Sequence, residues 1–128
     1  MTAPSLPTTA DRIVVEFPAS GGYRSVGRLV LGGLVSRFDL PVDRVEDLLL
    51  AVESLLARPL AGDSVTLEAT AAPDGLHLRL GPFVSSPLSD PAVSRVVTRL
   101  VDEAHDEQAD GGARVELHVS VARLRSEG

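Results

Sequence analysis

Three stretches of this chain alternate apolar and polar residues, and that alternation constrains the fold more than any other feature. Ser64 to Thr70 (SVTLEAT) puts Val65, Leu67 and Ala69 on one side. Leu76 to Leu80 (LHLRL) does the same with Leu76, Leu78 and Leu80, and Arg114 to Leu124 with Val115, Leu117, Val119 and Val121. Successive side chains of a strand point to opposite faces, so each stretch predicts a strand with one dry face and one wet face. Such strands belong to a sheet covered on one side only, and mostly antiparallel. Ala72-Pro73-Asp74-Gly75, between the first two, carries an Asp-Gly hairpin signal. A further strand spans Asp11 to Phe17, where Ile13, Val15 and Phe17 share a face, Val14 breaks the alternation and Pro18 ends it.

The segments between the strands have helical spacing. From about Gly21 to Phe38, Tyr23, Val26, Leu29, Val30, Leu34 and Phe38 recur on one face. Gly32 and Gly33 weaken that helix by about 1 kcal/mol each relative to alanine. After Asp39-Leu40-Pro41, a second helix runs to about Arg58, with Val45, Leu48, Leu49, Val52, Leu55 and Leu56 as its stripe. Pro59 disfavours helical geometry at Arg58 and closes it. Gly81 to Pro91 reads as a loop with three prolines. A third helix is predicted from about Asp90 to Asp106, its acidic tail solvated, with Gly111-Gly112 as the turn into the last strand. The order is β-α-α-β-β-α-β. With all three helices on the dry face, the fold class is α/β (α+β), a two-layer sandwich.

Composition narrows the function. The 128 residues suit one domain, taken as residues 11–124 between short tails at 1–10 and 125–128. Aromatics are 3% of the chain, so the core is aliphatic and a base-stacking platform has little material. A formal charge of −6 argues against nucleic-acid binding, which needs a basic patch. All 12 basic residues are arginine, which excludes a Schiff-base or phosphate-loop lysine. No cysteine is present for disulfide, zinc thiolate or nucleophile. The opening MTAPSLPTTA lacks the charge and apolar run of a signal peptide, and no segment reads as a membrane span. A cytoplasmic location is expected.

The stretch EFPASGGYRSVGRLVLGGLVSRFDLPVDRVEDLLLAVESLLARPL resembles the N-terminal half of bacterial anti-sigma-factor serine kinases, members of the histidine-kinase-like (GHKL) ATPase superfamily. The likeness rests on a strand ending in Pro18-Ala19, an arginine in the first helix and the Ala51-Val52 pair of the second. It extends over residues 11–123 in element order. It implies an ATP pocket in which a helical glutamate activates the attacking hydroxyl and an asparagine four residues on holds Mg²⁺, both on one helix face.

Aligned on Ala51-Val52, those two positions are Ser54 and Arg58. Serine is no carboxylate base, and arginine has no acceptor for a metal. Glu53 points about 100° away around the helix. The family's Asp-x-Gly-x-Gly corresponds to Arg79-Leu80-Gly81-Pro82-Phe83, which has one glycine and no acid. Its glycine-rich phosphate lid corresponds to Ser89-Asp90-Pro91-Ala92-Val93, and its Gly-Thr to Gly112-Ala113. The resemblance thus implies a vestigial pocket around Asp47, Ser54, Arg58 and Gly81, with no catalytic residue, metal or cofactor.

What remains of the family's role is partner binding. It implies a sigma factor, a STAS-type anti-anti-sigma protein or a second copy of the chain, with Arg28 and Arg24 on the contact surface. The alternatives are a serine/threonine kinase with residual ATP and Mg²⁺ binding, and a small-molecule sensor whose pocket is made apolar by Leu80, Pro82 and Phe83. His77 and His118 fall on the wet faces of their strands, where they can be neighbours, but no carboxylate spacing beside them marks a metal site. His105 is expected on the surface near a helix end.

Overall fold

A computed structural model describes residues 11–19, 31–33 and 41–120. Five strands form one antiparallel sheet: β1 (Asp11–Pro18), β2 (Ser64–Ala72), β3 (Gly75–Phe83), β4 (Glu103–Ala109) and β5 (Gly112–Ser120), in spatial order β1-β2-β3-β5-β4. Two helices are described from end to end, α1 (Val42–Leu56) and α2 (Pro91–Leu100), with a 3₁₀ turn at Pro87–Ser89. Residues 31–33 are helical, and Leu31 is fully buried. Arg24 and Arg28 lie outside the described residues, as does most of the first predicted helix.

The alternating strands sort as the sequence predicts. Phe17, Val65, Leu67, Ala69, Leu76, Leu78, Leu80, Val115, Leu117 and Val119 are buried in one core with Leu48, Ala51, Val52, Leu55 and Leu56 of α1 and Val97 of α2. The helices therefore cover one face of the sheet. Val14, which interrupts the alternation of β1, is about half exposed on the other face, paired in register with Glu68.

Two predicted boundaries are corrected. β3 runs three residues beyond Leu80, so Gly81-Pro82-Phe83 is strand rather than loop. It is held there from its far side: Ala61 N–H donates to Pro82 O at 2.9 Å and Val84 N–H to Pro59 O at 3.1 Å. The larger correction is at the third helix, which ends at Leu100 instead of near Asp106. The acidic stretch EAHDEQA is strand β4, joined to β5 by Asp110-Gly111. His105 is accordingly a strand residue.

The helix stops for a tertiary reason. Asp102 N–H donates to His118 O at 3.0 Å, and the Asp102 carboxylate accepts from Ser120 N–H at 2.7 Å and from Arg44 at 3.0 Å. These bonds fix the chain to the end of β5 and the start of α1 immediately after the last helical turn. β4 is an edge strand, and its charged residues discourage pairing with another sheet edge.

Candidate functional site

The four residues of the pocket that the resemblance implies lie on α1, just past its end and near the end of β3. Asp47 and Ser54 lie on α1, both partly buried, and Asp47 is 3.8 Å from Arg44 as an i, i+3 ion pair. Arg58 lies two residues past the helix end, so its side chain leaves α1 and reaches Asp90, with Nη1 3.6 Å from Oδ2. Asp90 is also the N-cap of α2, where its Oδ1 accepts from Ala92 N–H at 2.9 Å and Pro91 takes the first helical position. Aspartate followed by proline is a favoured helix start.

Asp90 thus serves two groups of the chain, the start of α2 and Arg58. A helix N-terminus offers free N–H donors and a positive dipole end, the place where a phosphate would settle. Here Asp90 occupies that position with one oxygen and neutralises Arg58 with the other. Ser54 offers a hydroxyl and no carboxylate.

The surviving glycines have structural duties. Gly81 has φ +150°, and a Cβ there would stand 2.9 Å from Ala113 O, at the point where the β3–β5 register shifts. Gly112 has φ +144°, and a Cβ would stand 2.3 Å from Phe83 O. Close approach of two backbones explains both residues without a nucleotide. Leu80 and Phe83 are buried in the core beneath, so the apolar replacements that suggested a sensor cavity fill space instead of lining it.

Three concavities are formed by described residues on the opposite, wet face of the sheet, and none includes Asp47, Ser54, Arg58 or Gly81. This face carries a lattice of opposite charges. Glu68 lies between Arg12 at 2.5 Å and Arg79 at 3.8 Å, and Arg79 also meets Glu107 at 3.3 Å and Glu116 at 2.8 Å. The hydrogen bond to Glu116, with Glu107 and Glu68 nearby, holds the Arg79 guanidinium still more firmly protonated against its partial desolvation.

Beside this lattice, His77 and His118 face each other across β3 and β5, their rings stacked 4.4 Å apart. Strand alternation made that neighbourhood legible. What the sequence reading missed is the carboxylate: Asp74, in the β2–β3 turn, reaches His77 Nε2 at 3.0 Å and His118 Nε2 at 3.7 Å. The signal was present as Asp74-x-x-His77, at a turn read only for its conformation. The hydrogen bond with His77 is the main influence holding the Asp74 carboxyl below the usual range, against a small desolvation effect.

Comparison with known proteins fixes the architecture. No family model matches the chain, and no curated protein matches it. Among solved structures it is similar to the crystal structure of the RsbU and RsbW domains of Rv1364c from Mycobacterium tuberculosis, with a TM-score of 0.67 and 17% identity. The match covers 86% of this chain and 32% of that one, so the chain spans about a third of its neighbour's length. The likeness shows the fold: helices on one face of an antiparallel sheet, the architecture that the resemblance in the sequence implied.

Proposed function

We propose that the chain is a regulatory protein-interaction module of the anti-sigma type that works without phosphoryl transfer. The observation that carries this reading is the pairing of Arg58 with Asp90 while Asp90 caps α2. Phosphoryl transfer depends on positioned cations and donors that neutralise a polyphosphate. In this chain a carboxylate occupies the donor site, the Mg²⁺ position is an arginine and the base position is Ser54. ATP and Mg²⁺ are therefore not needed as cofactors, and the scaffold's remaining use is recognition.

The partner proposed is a sigma factor or a STAS-type anti-anti-sigma protein, met in the cytoplasm through the first helix with Arg28 and Arg24. Among the described residues no helix is long and apolar enough to cross a membrane. Self-association through β1 is part of the proposal. β1 is an outer strand of the sheet, and Val14 is exposed beside its edge.

The test mixes the purified chain with sigma factors and STAS proteins of its own genome, without nucleotide, and reads complex formation by light scattering after size exclusion. A stable complex with one of them is expected. A complex that forms only when ATP and Mg²⁺ are added would restore the kinase reading, and no complex with any of them would remove the regulatory one.

A further inference from the structure

We propose that Asp74, His77 and His118 form a binding site for a divalent transition-metal ion of the zinc type on the wet face of the sheet. The chain contains three histidines, and all three line one concavity of about 240 Å³ together with Asp74, Glu103 and Glu116. One donor atom from each of Asp74, His77 and His118 lies within 4.8 Å of the other two. Both imidazole Nε2 atoms lie beside Asp74: His77 Nε2 is 3.0 Å from its Oδ1, and His118 Nε2 is 3.3 Å from its backbone oxygen and 3.7 Å from its Oδ2. Three donors thus lie close together, two of them on paired strands and one in the adjoining turn.

Their placement has a clear origin. His77 and His118 are directly opposite in the β3–β5 register, and Thr70 and Glu103 continue the same row on β2 and β4. Directly opposed residues have Cβ atoms about 4.5–5.5 Å apart, which sets two imidazoles within reach of one ion. Asp74 is placed by the β2–β3 hairpin, whose closing pair is Ala72 with Gly75. Zinc takes nitrogen and carboxylate oxygen at about 2.0–2.2 Å, which asks for donors roughly 3.3 Å apart in a tetrahedron. Side-chain rotation closes that difference without moving the strands.

Donor chemistry selects the class of ion. Two neutral imidazoles and one carboxylate suit zinc and its late first-row neighbours, whereas calcium and magnesium prefer oxygen throughout. Three protein ligands leave one position open, and the site faces outward: the side chains of His77, His118 and Asp74 are 41%, 17% and 64% exposed. A water molecule or a donor from a partner fills that position. His105 is paired with Glu103 at 3.3 Å on the rim and is not a ligand.

The experiment titrates Zn²⁺ into the chelator-treated full chain, with any histidine tag removed, against a chromophoric zinc indicator. One equivalent should bind at micromolar concentration, with no competition from excess Mg²⁺ or Ca²⁺. His77→Ala and His118→Ala should each weaken binding by more than about tenfold, since even groups outside the coordination sphere are worth that much. His105→Ala should leave it nearly unchanged. His77 and His105 are exposed and His118 is partly buried, and circular dichroism checks that each variant is folded. Absence of saturable binding by the parent chain, undiminished binding by a His77→Ala/His118→Ala variant, or an equal loss in His105→Ala would each overturn the assignment.

Discussion

Replacing Asp102 by alanine should destabilise the domain severely, although the residue lies in the two-residue link between a helix and an edge strand, in a stretch whose acidic residues read as solvated. The side chains of Arg44 and Asp102 are only 15% and 12% exposed and 3.0 Å apart. Removing one member of a buried pair costs about 3–5 kcal/mol, because the other charge is left without compensation. Asp47, 3.8 Å from Arg44, offsets part of that. The Ser120 N–H also loses its charged acceptor, a further loss of about 1–3 kcal/mol. These contributions share atoms and do not add fully, so about 3–4 kcal/mol is the expected total. With a urea m-value of about 2 kcal/mol/M, the unfolding midpoint should fall by roughly 1.5–2 M. Asp102→Asn keeps an acceptor for Ser120 and should lose about half as much. A shift below about 0.3 M for the alanine variant would correspond to an ordinary exposed pair, and would refute the claim that Asp102 ends α2.

Two further outcomes follow from the same geometry and a third from the proposed function. Gly81→Ala should cost about 1–3 kcal/mol in urea unfolding, because φ +150° and the nearby Ala113 carbonyl both oppose a side chain; a neutral result would reopen a ligand-binding reason for that glycine. Asp90→Ala removes the α2 cap and the half-exposed pair with Arg58, and should lower stability by about 1–2 kcal/mol, mostly through the cap. Arg28→Glu should weaken partner binding by more than about tenfold while the circular dichroism spectrum stays native; unchanged affinity would place the contact elsewhere.

The fold was legible in the sequence wherever one face of an element is dry. β2, β3, β5 and α1 show their periods because Val65, Leu78, Val115 and Leu55 must reach one core. β4 was not legible. EAHDEQA contains no β-branched residue and no Phe, Tyr or Trp, and as an edge strand it draws its stability from backbone pairing with β5. The stop before it is set by Asp102, whose partners Arg44 and Ser120 lie 58 and 18 residues away. The Asp110-Gly111 turn was the one local clue.

At the candidate site the residue types were legible and their contacts were not. Ser54 and Arg58 announce by residue type that they are neither base nor metal ligand. That Arg58 is neutralised by the α2 cap depends on contacts 32 residues apart, which no periodicity reports. The Asp74–His77–His118 cluster was half visible, since alternation placed the two histidines together and only the turn geometry adds the carboxylate.

Calorimetric titration of the full chain with ATP and Mg²⁺ at millimolar concentration, with thermal unfolding in parallel, tests the central claim most directly. The account predicts no saturable heat and an unchanged Tm. Saturable binding would contradict it, and would raise Tm by mass action, since ligand at 100 times Kd stabilises the native state by about 2.7 kcal/mol.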